Sequence, residues 1–240
     1  MPTLTETRFY PAETILSVNR LAAADMLVRE SPFPFLVAKN QLPLDAAEAL
    51  DRDFPRYSDA GFFPYDSDEC GPSFNALVAE MTAPKLANVI GQRLGVPNLG
   101  NYPTLVTVSR SLNKSHGTIH TDGQSKIVTA LLYLNRDWPD ISEGCLRFLE
   151  KIDDIDSLVT PEVRPIYGTL AAFRRADNSF HGHLPHVGER RVIQVAWLVN
   201  EEAKLRKTRR GRISRVVKWA SRLLGPHFNT SRDRNASHGE

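Results

Sequence analysis

His120-Thr121-Asp122 sets an imidazole and a carboxylate two residues apart. In an extended segment alternate side chains share a face, so the pair can enter one cavity and take adjacent positions on a metal ion. A third donor would come from Ser179-Phe180-His181-Gly182-His183. His181 and His183 share a strand face, and local spacing leaves both as donors. Two histidines and one carboxylate on one face of an octahedron leave three positions open. That suits an iron(II) centre that binds a bidentate co-substrate and dioxygen together, whereas a structural zinc site would be closed by four protein ligands.

Nine positions after His181, Arg190 opens the run Arg190-Arg191-Val192-Ile193-Gln194-Val195-Ala196-Trp197. Read as a strand, Arg190, Val192, Gln194 and Ala196 share one face, and Arg191, Ile193, Val195 and Trp197 share the other. An arginine turned inward needs an anion, best a carboxylate held by two parallel hydrogen bonds, because an unpaired buried charge costs several kcal/mol.

The elements that must position these groups follow from the periodicity. Residues 33–38 predict a short strand, and Leu44, Ala47, Leu50 and Phe54 keep helical spacing over 44–54. Residues 74–81 and 84–94 predict two helices, the second with Pro84 in its first turn and Gly95 as its stop. From residue 104 the period becomes strand-like, with runs at 105–108, 127–134, 146–149, 170–173 and 192–199. The expected class is an all-β core with flanking helices, an antiparallel double-sheet jelly roll. Residues 61–73 and 111–119, polar and punctuated by Gly and Pro, are the expected lids over a site.

Residues 105–199 resemble the double-stranded β-helix core of the iron(II)- and 2-oxoglutarate-dependent oxygenases, in particular the prolyl 4-hydroxylase-like branch. The resemblance is carried by His120-Thr121-Asp122, by Leu132-Tyr133-Leu134-Asn135-Arg136-Asp137-Trp138, by Glu143-Gly144-Cys145-Leu146-Arg147-Phe148, by Gly168-Thr169-Leu170 with Phe173, and by His181 through Pro185 to Arg190. It implies a cupin-like barrel in which His120, Asp122 and His181 hold iron. The nine-residue step to Arg190 favours His181 over His183, for which the step is seven. Arg190 would pair with the distal carboxylate of 2-oxoglutarate, and Tyr133 would reach the same group. Arg110, ten residues before His120, falls where the branch often sets a tyrosine against the co-substrate. Thr129 and Leu131 share the strand face of Tyr133 and would line the pocket. His116, His183 and His186 would stand at the rim. The implied activity is a dioxygenase that hydroxylates a substrate with release of succinate and carbon dioxide. An intact carboxylate at Asp122 favours hydroxylation over halogenation. The alternatives are a cupin-like metal enzyme that does not use 2-oxoglutarate, and a noncatalytic binding module.

With 240 residues and 24% charged side chains, the chain suits one sizeable core better than a disordered or coiled-coil polymer. The expected division is one oxygenase domain over 1–200, with a helical front end at 1–103 and the β-helix core at 104–200, followed by a basic amphipathic helix and disordered tail over 201–240. Residues 201–240 hold eleven Lys or Arg against four acids, a local +7, while residues 1–200 carry a net −5. Ile213, Val216, Val217, Ala220, Leu223 and Leu224 keep helical spacing among Arg212, Arg215, Lys218 and Arg222. Such a helix over 203–225 could pack on the body or lie on an anionic membrane surface, with nucleic acid the weaker fit. A membrane location would suit a lipid-linked saccharide as substrate; a small molecule or a peptide stays open. Two cysteines, a charged N-terminal stretch and no long apolar run predict a cytoplasmic protein without a spanning segment, or one peripheral at the inner membrane face.

Overall fold

The computed structural model describes residues 15–23 and 25–208. A short helix α1 (Val18–Ala23) precedes strands β1 (Met26–Arg29) and β2 (Phe35–Ala38) and helix α2 (Ala47–Asp53). After β3 (Phe62–Pro64) come helices α3 (Pro72–Met81) and α4 (Pro84–Arg93), each with proline in its first turn, where the missing N–H costs nothing. Gly95, at φ +69°, ends α4 in the left-handed conformation that favours glycine. The remaining strands are β4 (Thr104–Leu112), β5 (Lys126–Tyr133), β6 (Arg147–Phe148), β7 (Leu170–Arg174), β8 (His181–Gly182) and β9 (Gly188–Leu198).

Seven strands form one antiparallel sheet in the order β1-β2-β7-β5-β9-β4-β3, and β6 pairs with β8 in a second, small sheet. Period-2 alternation gives the large sheet two apolar faces. Val108, Val128, Ala130, Leu132, Ile193, Val195 and Trp197 meet the helices in one core cluster. Leu131, Tyr133, Ala171, Phe173 and Val192 meet Phe148, Leu146 and Val163 in the other. There the ring of Phe148 lies 4.4 Å from that of Phe35, and the rings of Phe33 and Phe173 each lie 5.8 Å away. The expected β core with flanking helices is thus present as two facing sheets. Among the described residues it is not a closed barrel: isolated bridges such as Leu146↔Val163 and Leu149↔Leu158 extend the second layer.

Two expectations need correction. The expected strand at 33–38 is present as β2, but the front end is less helical than expected, because β1 and β3 also join the large sheet; β2 pairs with β7 and completes both apolar faces, Leu36 and Ala38 on the helical side and Phe35 and Val37 on the inner one. Residues 61–73 are not an irregular lid: Phe62–Pro64 pairs with Thr107–Ser109, and α3 starts at Pro72. At the other end 201–208 is helical, and Ala203 is buried against Ala196 and Leu198. The amphipathic stripe over 213–224, the tail beyond it and the N-terminal 14 residues lie outside the described residues. Among the described residues no helix is long and apolar enough to cross a membrane.

Candidate active site

His120 and His181, distant in sequence, face each other as a bridge. Each donates its backbone N–H to the other's carbonyl at 3.0 Å. This narrow antiparallel pair sends both side chains to one side, and the ring centroids are 4.4 Å apart. Gly182 makes the approach feasible: a Cβ there would stand 3.1 Å from the carbonyls of Gly117 and Thr118. Asp122 joins them, and one donor atom from each of His120, Asp122 and His181 lies within 4.8 Å of the others.

The donor chemistry fits a metal ion. His120 Nδ1 lies 2.9 Å from the Thr118 carbonyl and His181 Nδ1 lies 2.9 Å from the Ser179 carbonyl. A carbonyl only accepts, so each Nδ1 carries the proton and each Nε2 keeps its lone pair. Burial beside Phe173, whose ring is 4.3 Å away, and then the neighbouring His120 push His181 down to about 3, so it is neutral. Burial alone would raise Asp122. The Lys126 ammonium and the Thr129 hydroxyl outweigh it and hold the carboxyl below its usual range. Lys126 Nζ contacts Oδ1 and Thr129 Oγ1 donates to Oδ2, both at 2.5 Å.

On the same inner face, Arg190 is 2% exposed. Its Nε donates to the Gly144 carbonyl at 2.7 Å and its Nη2 to Tyr133 Oη at 3.2 Å, with the guanidinium 5.1 Å from the Tyr133 ring centroid. No carboxylate among the described residues pairs with it. Burial raises the Tyr133 phenol, so it stays protonated. Leu131, 6% exposed, sits between the metal end and this anion end of β5.

The described residues from 106 to 199 match the sequence profile of the 2OG-Fe(II) oxygenase superfamily. The matched segment holds His120, Asp122, His181, Tyr133 and Arg190. The profile is that of oxygenases that use iron(II) and 2-oxoglutarate. No curated protein sequence matches it. Its fold is similar to that of a Pseudomonas putida prolyl-4-hydroxylase, at TM-score 0.51 and 20% identity, over 75% of this chain and 96% of that one. A prolyl 4-hydroxylase from Phytophthora capsici is similar at TM-score 0.52 and 19% identity, over 82% of this chain and 68% of that one. At these identities the likeness concerns the fold.

The structure brings together His120, Asp122 and His181, and separately Arg190 and Tyr133 with Leu131. Thr129 stands against Asp122 rather than at the anion end. Arg110 is not brought to the pocket. It lies on the helical side of β4, 5.9 Å from the Phe54 ring centroid, with Nη1 3.5 Å from the Pro55 carbonyl and Nη2 3.8 Å from Glu189. His183 stands apart from the three donors: its Nδ1 donates to the Leu184 carbonyl at 2.8 Å. His186 packs against Trp138, the ring centroids 4.7 Å apart and the planes tilted. Sequence reading missed Lys126, Gly144 and the two carbonyls that orient the histidines. The turn Gly123-Gln124-Ser125-Lys126 directly after Asp122 was the available signal for the first, and the placement of each carbonyl two residues before its histidine for the others.

Proposed function

We propose that His120, Asp122 and His181 hold iron(II), that Arg190 and Tyr133 hold the distal carboxylate of 2-oxoglutarate, and that residues 1–200 act as one oxygenase domain. The observation that carries this reading is the pair of half-sites against the inner face of the large sheet: three convergent metal donors that meet Thr129 and Phe173, and a buried guanidinium with no carboxylate partner among the described residues. When bound, iron with 2-oxoglutarate and dioxygen supplies hydroxylation of a C–H bond with release of succinate and carbon dioxide. The chain's own share is to orient both imidazoles and keep His181 neutral, to keep Asp122 ionised, to anchor the co-substrate at its far end, and to exclude water with the wall of Phe35, Phe148 and Phe173.

The substrate is of a hydrogen-bonding class, a peptide or another amide- or hydroxyl-bearing molecule. Thr107 pairs with Gln194 across β4 and β9, and Gln194 pairs with Leu131 across β9 and β5, on the face that carries Arg190. Thr107 Oγ1 is buried with no hydrogen-bond partner among the described residues, a group that a polar substrate would satisfy. The basic residues of 203–225 support an anionic surface, such as the inner membrane face, as a second partner on charge alone.

The test is anaerobic addition of iron(II) and then 2-oxoglutarate, watching the weak visible charge-transfer band of the chelate. The band disappears in His120→Ala and requires far more 2-oxoglutarate in Arg190→Leu. A parent that binds iron and gives no band refutes the co-substrate reading in favour of another metal chemistry. A parent that binds no iron leaves a binding module.

A further inference from the structure

The turn after the metal-ligand pair folds Lys126 back onto Asp122. Lys126 N–H donates to the Gly123 carbonyl at 2.9 Å, and its ammonium reaches Asp122 Oδ1 at 2.5 Å. Both partners are largely out of water, the Lys126 side chain 15% exposed and that of Asp122 5%. Thr129 already orients the carboxylate through Oδ2. A second donor is therefore not needed to aim Asp122, and what Lys126 adds is charge. The Lys126 ammonium cancels the charge of the Asp122 carboxylate, which alone would present −1 to a metal ion. Arg190, 2% exposed on β9, adds another positive charge.

We infer that Lys126 is a built-in counter-ion of the metal-ligand Asp122, holding metal affinity down and favouring the dianionic co-substrate. The inference rests on the metal reading given above. A divalent cation entering the site meets an ammonium at close range on the very carboxylate it must use, in a low-dielectric wall where screening is weak. A dianion that follows it is attracted by the same ammonium. Lys126 thus acts through Asp122 and through charge, as a positioning residue. Removing it shifts the two affinities in opposite directions, which a merely structural lysine would not do.

The test titrates the full chain with Mn(II) alone, read by the free-ion electron paramagnetic resonance signal, and then titrates the Mn(II)-loaded protein with 2-oxoglutarate by calorimetry. Lys126→Met is expected to bind Mn(II) about tenfold more tightly than the parent and 2-oxoglutarate several-fold more weakly. Lys126→Arg, which keeps the charge, is expected to follow the parent in both. Lys126→Gln serves if thermal melting shows that Lys126→Met is not folded. Looser or unchanged Mn(II) binding in the neutral variants, with a parent that binds Mn(II), overturns the counter-ion role and leaves the metal reading standing. A parent that binds no Mn(II) overturns both.

Discussion

Arg190→Leu separates a co-substrate anchor from a structural arginine, because the two roles predict opposite results. In the protein without co-substrate, the guanidinium donates to Gly144 and Tyr133 and lies over the Tyr133 ring. Two charge-assisted hydrogen bonds contribute about 1.5–3 kcal/mol each, and the cation–π contact about 1–2 kcal/mol. Against this stands the desolvation of a charge that is 2% exposed, a cost of several kcal/mol. The sides nearly cancel, so the stability of the metal-free variant is expected within about 2 kcal/mol of the parent. Binding is different. Losing one partner of a buried, hydrogen-bonded charge pair costs about 2–5 kcal/mol. At 1.4 kcal/mol per decade this raises the dissociation constant for 2-oxoglutarate between about 30-fold and about 4,000-fold. Calorimetric titration of Mn(II)-loaded parent and variant without oxygen measures the second quantity, and urea unfolding of the metal-free proteins measures the first. A variant that binds 2-oxoglutarate within about threefold of the parent, yet unfolds with several kcal/mol less stability, refutes the anchor.

Two further outcomes follow from neighbouring residues. Thr129→Val removes the hydroxyl on Asp122 Oδ2 and is expected to weaken Mn(II) binding about 10- to 100-fold by equilibrium titration; unchanged affinity would leave Thr129 a packing residue. Burial, and then the charge of Arg190, push His183 down to about 3, so the folded state refuses a proton that the unfolded chain accepts near pH 6.5. Its contribution to stability is complete above pH 6.5 and is lost as pH falls toward 3. Between pH 7 and 5 the metal-free parent should lose about 2 kcal/mol more than His183→Leu in urea unfolding, and equal losses would refute this.

The alternation of the run after Arg190 is legible because strand side chains have period 2: Ile193, Val195 and Trp197 do face the helices, and Arg190 and Val192 the inner layer. The same rule puts Arg110 in phase with Val106 and Val108 on the helical side. Periodicity sorts residues into two faces without saying which face carries the helices, and that is why its spacing from His120 misplaced it. The strands at 26–29 and 62–64 escaped notice because they are short and gain their hydrogen bonds only at the sheet edges, from β2 and β4.

Residue types and local spacing by themselves determined the kind of chemistry: a His-x-Asp pair, a later histidine and an inward arginine, carried by a β-rich second half. Contacts between distant segments decided the rest. The His120↔His181 bridge placed His181, and not His183, beside His120 and Asp122, the Gly144 carbonyl fixed the guanidinium, and the Gly123–Lys126 turn brought an ammonium onto Asp122. Side-chain type and period are local properties of the chain, whereas convergence, burial and the charge at a given atom depend on which strands pair, and pairing is settled only when the whole sheet closes its two apolar faces.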